Sequence, residues 1–525
     1  MPKPLSSEVI MSTEPVSALP RKTAFEAGLQ TSIDALSEAI RGLYLSDDIP
    51  WVIGYSGGKD STATLQVVWH AIAELPSEKR QKPIHVISTD TLVENPIVAM
   101  WVENSLRKVR TASEDQGMPI QAHRLTPDPS DSFWVNLIGR GYPAPRPKFR
   151  WCTSRLKINP SNRFINEVVE SNGEAILVLG TRKAESAARA ANMAKYEKGS
   201  TREMLSRHGD LDRSWVFTPI GEWTNDDVWQ YLMQVKNPWG YRNKDLLGMY
   251  QGATEDGECP LVVDTSTPSC GDSRFGCYVC TLVEQDKSME AMIQNDHEKE
   301  WMTPLMEFRN KYLDTKEDRQ HRDFRKMNGS LMVHNGRLVH GPYKQYYRET
   351  LLKALLHSQQ EVREAAHRGE APEMVKDFES ISLAELEEIR RIWVVEKHEI
   401  EDRLPSLYEE ATGEPYAGRN LGEGSAFSTE ALALLKEVCT EHEDPEGLRF
   451  ELIRELLHIE ERHRTMARRS GLFKALDKAM ERGAFTTEAE AEAFALRRKE
   501  ALDSAREQLA GSHPDYFSEL VNEMP

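Results

Sequence analysis

The sequence predicts an α/β protein built on a parallel sheet, followed by a cysteine-bearing insert and a mostly helical C-terminal region. Three observations carry that expectation. Apolar strand-like stretches alternate with helical spacings from Trp51 to Leu179. The distinctive motifs fall just after the predicted strands, where loops gather in such sheets. Beyond Gln345 the chain turns helical and charged, interrupted by Gly413, Gly418 and Gly422.

Residues 24 to 44 place Phe25, Leu29, Ile33, Leu36, Ile40 and Leu43 at spacings of three and four, the stripe of an amphipathic helix. A mobile tail is expected before it. Pro50 to Tyr55 reads as a strand, and Ser61 to about Leu75 as a helix. Between them stand Ser56, Gly57, Gly58, Lys59, Asp60 and Ser61. Two adjacent glycines let main-chain N–H groups close on an anion, Lys59 adds charge, Ser56 and Ser61 add hydroxyl donors, and the helix points its positive end at the same place. The alternative is a glycine turn that happens to contain a lysine, which the strand before and helix after disfavour.

Strands are predicted at Ile84 to Ser88, Ile120 to Leu125 and Ala175 to Leu179, with a helix from about Pro96. Thr89-Asp90 ends the second strand, and Asp90, Glu94 and Asn95 are candidates to contact nucleotide or Mg²⁺. Gly180-Thr181-Arg182-Lys183-Ala184-Glu185-Ser186 with Arg189 follows the last strand and offers cations, a carboxylate and a hydroxyl to an anion. A solvated helix start with ordinary ion pairs is the alternative there. Leu331 to Val339 reads as a hairpin turned by Asn335-Gly336.

Of the six cysteines, Cys259, Cys270, Cys277 and Cys280 form a C-x10-C-x6-C-x2-C set within a loop-rich insert running from about Gly252 to Val283. Four thiolates suit zinc or an iron–sulfur cluster, and the spacing leaves both open. Cys152 stands apart among Arg146, Lys148, Arg150, Arg155, Lys157 and Arg163, with no acidic residue from 146 to 163. Neighbouring cations lower a thiol's pKa, which makes Cys152 a candidate thiolate nucleophile or persulfide carrier, against the alternative of an inert buried cysteine. Cys439, on an acidic helix with apolar neighbours, reads as core.

The net charge of −18 argues against a nucleic-acid partner only if it is evenly spread. Residues 361 to 525 hold 22 Lys+Arg against 38 Asp+Glu, a balance of −16, which leaves −2 for the preceding 360. The acidity belongs to one region. Arg319, Arg322, Arg325, Lys326, Arg337, Lys344 and Arg348 lie around Phe324, Tyr343, Tyr346 and Tyr347, a pattern that fits a nucleic-acid surface or an exposed hairpin with ion-paired arginines. With 146 to 163 and 182 to 189, this run is a candidate positive face. No apolar run is long enough to span a bilayer, and few, clustered cysteines suit a reducing compartment, so a cytoplasmic protein without a membrane partner is expected.

These motifs together resemble the PAPS-reductase-like branch of the PP-loop superfamily of N-type ATP pyrophosphatases. The matching pieces are Ser56 to Ser61, Asp90-Thr91, Trp151-Cys152 with Lys157, Gly180-Thr181-Arg182 with Glu185-Ser186 and Arg189, and Pro219 to Thr224 with Asp227-Val228-Trp229. Within that branch the chain is most similar to the DNA phosphorothioation sulfurtransferases. The resemblance implies ATP and Mg²⁺ at the glycine loop, and a [4Fe–4S] cluster on Cys259, Cys270, Cys277 and Cys280. It also implies catalytic roles for Lys59, Asp60 and Cys152, and nucleotide contacts from Ser56 to Ser61, Asp90, Gly180, Arg182, Glu185 and Arg189. DNA, a cysteine desulfurase and companion subunits of the DndD and DndE type are the implied partners.

The segments expected on this basis are 1–48 (tail and amphipathic helix), 49–250 (PP-loop domain), 251–285 (cluster segment), 286–360 (helix and hairpin, a candidate DNA contact) and 361–525 (acidic helices). Two other readings stand beside sulfur transfer. A sulfonucleotide reductase usually carries a C-terminal Glu-Cys-Gly-x-His segment, absent here, and its assimilatory form binds a cluster through Cys-Cys, whereas Thr153 follows Cys152. The third is an ATP-gated DNA-binding subunit that leaves sulfur transfer to a partner.

Overall fold

A computed structural model describes residues 23–197, 204–254, 275–313, 316–419, 429–442, 444, 446–464, 466 and 468–512. Helix α1 (Leu29–Leu45) buries Ser37, Ile40 and Tyr44. It begins five residues later than its apolar spacing predicts, because Gly28 stands at φ 93° and the preceding stretch is tied elsewhere. Phe25 packs edge-on against Trp223 at 5.1 Å, and Asp227 accepts the Thr23 hydroxyl and the Ala24 N–H.

Strand β1 (Trp51–Gly54) leads through the glycine loop into α2 (Lys59–Ala73), whose side chains from Ser61 to Trp69 are all buried. A helix enclosed on every side suits the apolar and small residues of this segment. Then come β2 (Ile84–Thr89), α3 (Pro96–Asp115), β3 (Ile120–Leu125), α4 (Asn159–Asn172), β4 (Ala175–Val178), α5 (Ala187–Glu197), β5 (Ser206–Arg207), β6 (Ser214–Phe217), α6 (Asn225–Gln234) and α7 (Asn243–Gly252). The six strands lie in the order β3-β2-β1-β4-β6-β5. Trp51 pairs with Ile84 and Ile176, and Leu177 with Val216, all in parallel register. The parallel sheet stands as expected, extended by β6 and by a two-residue antiparallel edge strand, β5. Crossover at β1/β4 makes the C-terminal ends of these strands the place where a ligand is expected.

The chain forms two compact units, each gathered from separate stretches. The first takes in β1, α2 and most of β2, then Met100–Arg124, and from Phe164 through α7. The second takes in Thr89–Ala99, Leu125–Arg163 and the chain from Phe275 onward. In the second unit α8 (Lys287–Asn295) and α9 (Thr303–Tyr312) precede the hairpin of β7 (Val333–His334) and β8 (Arg337–Leu338). Its turn residues Asn335 and Gly336 have φ 49° and 73°, the left-handed pair that an Asn-Gly turn supplies.

Helix α10 (Gln345–His367) has Leu351, Leu352, Leu355 and Leu356 fully buried. After it come α11 (Leu383–Arg391), α12 (Leu404–Thr412), α13 (Thr429–Glu441), α14 (Leu448–Arg464), α15 (Leu472–Arg482) and α16 (Glu488–Ser512), with α12 packed on α10, α14 on α15 and α16 on the hairpin. Gly413, at φ 71°, ends α12, and Cys439 is buried on α13, both as the sequence suggests. Gly422 lies outside the described residues.

Candidate functional site

The first unit carries the glycine loop. Gly57 sits at φ 73°, and a Cβ there would come within 2.6 Å of Val102 Cγ2 on α3. Glycine is therefore required both by conformation and by space. The Trp101 indole N–H donates to the Gly57 carbonyl at 3.1 Å, fixing the loop to the same helix. Ser61 Oγ accepts the Ser56 N–H at 3.2 Å and donates to the Gly58 carbonyl at 3.0 Å. Its hydroxyl thus braces the loop, whereas the sequence reading assigned it to the anion. Ser56 is exposed, and its hydroxyl lies 3.2 Å from that of Ser61.

Gly58 begins α2 without any side-chain cap from that position. The leading N–H groups of the helix are the ones that bind an anion in such loops. Asp60 lies between two cations, 3.3 Å from Lys59 Nζ and 2.7 Å from Arg182 Nε. Arg182 is 4% exposed and also donates to the Trp223 carbonyl at 3.3 Å. Gly180 is the point where the β4 loop meets α2: a Cβ on it would lie 2.9 Å from the Asp60 carbonyl oxygen. The loop after β4 and the glycine loop thus form one assembly, as their positions at strand ends suggest.

The other charges of the β4 loop are engaged with one another. Glu185 accepts the Arg182 N–H at 3.0 Å and pairs with Arg189, while Lys183 contacts Glu197 at 3.0 Å and also Glu222. The ion-paired alternative therefore describes Lys183, Glu185 and Arg189. Beside them Thr181, Ser186, Arg189, Tyr196, Arg207 and His208 help line a cavity of about 950 Å³.

The second unit carries the thiols. Cys280 N–H donates to the Cys277 carbonyl at 3.0 Å, closing the Cys-x2-Cys turn, and Thr91 Oγ1 lies 3.3 Å from Cys277 Sγ. Lys157 Nζ is 3.7 Å from Glu94 Oε1. Burial opposes the charge on Lys157, yet the surrounding Cys277, Glu94, Cys152 and Cys280 hold its pKa above the ordinary lysine value. Cys152 directly precedes a π-helical turn, Thr153–Ile158, of the kind often found where a helix is bent to serve a site. Asp90 accepts the Leu92 N–H at 2.7 Å, holding a turn in which Leu92 has φ 64°, and Asn95 is buried and accepts the Ile97 N–H at 3.0 Å.

Two sequence expectations are corrected here. The thiol of Cys152 is raised rather than lowered, because burial outweighs the basic neighbours, several of which are spent on carboxylates: Arg155 on Asp131 and Arg146 on Asp318. Burial likewise pushes Cys277 up to about 11. The basic and aromatic run at 319 to 348 is not an interleaved surface. Phe324, Tyr343 and Tyr347 are buried, Arg348 is buried in an ion pair with Glu399, and Arg325 pairs with Asp323 at 2.7 Å. Arg319, Arg337 and Tyr346 remain exposed. Cys259 and Cys270 lie outside the described residues.

A parallel sheet with a glycine loop at the N-terminus of the helix that follows its first strand, braced by an arginine–aspartate pair, has the α/β architecture of the PP-loop class. Residues 50–240 match the family described as the phosphoadenosine phosphosulfate reductase domain. Residues 430–481, covering most of α13 through α15, match a second family, described as a small protein found in certain Dnd DNA modification systems.

An uncharacterized protein of Methanocaldococcus jannaschii is 26% identical over 245 residues, which are 47% of this chain and 39% of that protein. The phosphoadenylyl-sulfate reductase of Candida auris superposes with a TM-score of 0.26 at 14% identity, over 42% of this chain and 92% of that one. The U34-tRNA thiolase NcsA of Methanococcus maripaludis, solved with its [4Fe-4S] cluster, gives 0.23 at 12% identity, over 54% and 80%. Superpositions this partial carry no functional inference. No helix among the described residues is long and apolar enough to cross a membrane.

Proposed function

We propose that the chain is a DndC-type, ATP-dependent sulfurtransferase of DNA phosphorothioation. The observation that carries the reading is the presence in one chain of a PAPS-reductase-family domain and a Dnd-associated segment. ATP sits with its phosphates at the glycine loop, where the α2 N–H groups, Ser56 and Lys59 receive them, and Asp90 is a candidate for nucleotide or Mg²⁺. Arg182 and Asp60 fix the Lys59 side of the cradle. A non-bridging phosphate oxygen of DNA attacks the α-phosphorus of ATP, and pyrophosphate departs with the electron pair of the α,β-bridging bond. Lys59 and the loop N–H groups stabilise the charge that develops on it.

The adenylated DNA oxygen is now part of a good leaving group. A sulfur nucleophile attacks the DNA phosphorus, and AMP leaves carrying the former phosphate oxygen. Cys152 is the proposed carrier, as a persulfide formed by a cysteine desulfurase. A thiol reductant then cleaves the S–S bond and is oxidised to a disulfide. Cys152 is partly buried, which leaves its sulfur open to a donor and an acceptor.

The residues at the Cys-x2-Cys turn fit an iron–sulfur group: two thiols held by main-chain geometry face a lysine whose charge is favoured by them. Cys277 and Cys280, with Cys259 and Cys270, would hold a [4Fe–4S] cluster that supplies local rigidity or sulfur handling. DNA selection falls to companion subunits of the DndD and DndE type.

The test is DNA-dependent release of AMP and pyrophosphate by the full chain. Lys59→Ala is expected to reduce it by about 10²- to 10³-fold, as loss of a preorganised charge at a leaving group does. Full turnover in Lys59→Ala would remove the loop from the chemistry. The family description also favours a sulfonucleotide reductase, and thioredoxin-dependent sulfite release from such a nucleotide would establish that reading instead.

A further inference from the structure

Helix α7 reaches the glycine loop from far along the chain. The hydroxyl of Tyr250 accepts the main-chain N–H of Lys59 at 3.3 Å, and a Cβ on Gly58 would lie 3.2 Å from the same oxygen. Its ring lies 5.4 Å from the Lys59 ammonium, in cation–π range. A tyrosine thus touches both the backbone and the side chain of the residue on which the cradle depends.

The tyrosine is held in place by a rigid support. Tyr250 is 8% exposed and packs edge-on against Trp229 of α6 at 5.3 Å. At the other end of α7 the Asn243 amide donates to Gln66 Oε1 at 3.1 Å and to the Leu232 carbonyl at 2.7 Å. Gln66 belongs to α2, so α7 is tied to the phosphate-binding helix at both ends. Burial raises the phenol to about 12, which keeps its proton in place.

An oxygen that accepts the first N–H of α2 stands where the helix gathers its anion, and a phenol in that position also has a proton to give. We propose that Tyr250 is a phosphate-site residue supplied from outside the glycine loop: its hydroxyl, held by the Lys59 N–H, donates to an oxygen of the departing pyrophosphate. The loop alone then does not complete the cradle. Tyr250 is a binding and positioning residue, since it touches the leaving group and not the reacting phosphorus. The assignment rests on the reading of the loop as an ATP pyrophosphatase site.

Inorganic pyrophosphate binding to the full chain, measured by titration calorimetry, tests it. Tyr250→Phe keeps the ring on Trp229 and over Lys59 and deletes only the hydroxyl. The expected result is about three- to tenfold weaker binding, the size of one hydrogen bond, with an unchanged melting temperature. Tyr250→Leu, which also loses the cation–π contact, is expected to bind more weakly still. If Tyr250→Phe binds pyrophosphate as tightly as the parent, or more tightly, the assignment is overturned while the loop reading stands. If the parent itself does not bind pyrophosphate, both fall together.

Discussion

The glycine loop and the Cys-x2-Cys turn are both short, but they are built from different materials. The loop presents main-chain N–H groups, so its geometry is set by Gly57, Gly58 and the start of α2, all neighbours in sequence. The thiol region presents side chains, and what surrounds Cys277 comes from Thr91, Glu94 and Lys157, more than a hundred residues away. A backbone site is local and announces itself; a side-chain site is assembled by the fold. The lesson extends to electrostatics. Basic residues near Cys152 in sequence are partly spent on carboxylates in space, and burial decides its pKa instead.

The sharpest way to break this comparison is to uncouple the two sites. Cys152→Ser is expected to abolish phosphorothioate in DNA, read by mass spectrometry of digested nucleosides, while DNA-dependent AMP release persists. Normal phosphorothioate levels would take the carrier role from Cys152. Next in size is Arg182→Gln, which leaves Asp60 facing Lys59 without its buried partner. A carboxylate so uncompensated draws the ammonium away from phosphate, and pyrophosphate release should fall about 10²-fold.

Gly57→Ala probes the backbone side of the comparison. A left-handed conformation and the Val102 contact together should cost about 2 kcal/mol, and pyrophosphate binding should weaken about tenfold. Unchanged affinity would show that the loop tolerates distortion. The smallest effect lies outside both sites. His398 Nδ1 lies 2.8 Å from His458 Nδ1 and its Nε2 3.7 Å from Glu455 Oε1, and burial, with His458, Arg482, Arg462 and Arg454, pushes His398 down to about 3.

A histidine kept neutral in the fold is protonated first in the unfolded chain, so its contribution to stability is complete above about pH 6.5 and is lost as pH falls toward 3. Unfolding by urea at pH 5 should show about 1–2 kcal/mol less stability than at pH 7 from this group. His398→Asn, which tolerates the φ of 59° at that position, should flatten the difference.

The legible part of the molecule follows the same division. Strand β1, the glycine loop and α2 were readable because apolar period and glycine spacing are local signals, and the Asn335-Gly336 turn for the same reason. The edge strand β5 has only two residues and no period to detect. Arg348 and Tyr343 show where composition misleads: the pattern of a nucleic-acid surface is also that of a core with a buried ion pair, and Glu399 stands 51 residues from its arginine. Tyr250 carried no signal at all, since its contact with Lys59 spans 191 residues and depends on how α7 is tied to α2.

The aspartate held between Lys59 and Arg182 bears on how the two anions of the proposed reaction respond to salt. Arg182 is almost wholly buried and Lys59 largely so, with 5% and 13% of their side chains exposed. Mobile ions screen such charges weakly, whereas contacts between exposed arginines and a DNA backbone weaken steeply as counterions are no longer released into dilute solution. On the proposed function, raising ionic strength should therefore strip DNA from the protein well before it empties the phosphate cradle, so that the nucleotide half of the proposed reaction can be studied alone.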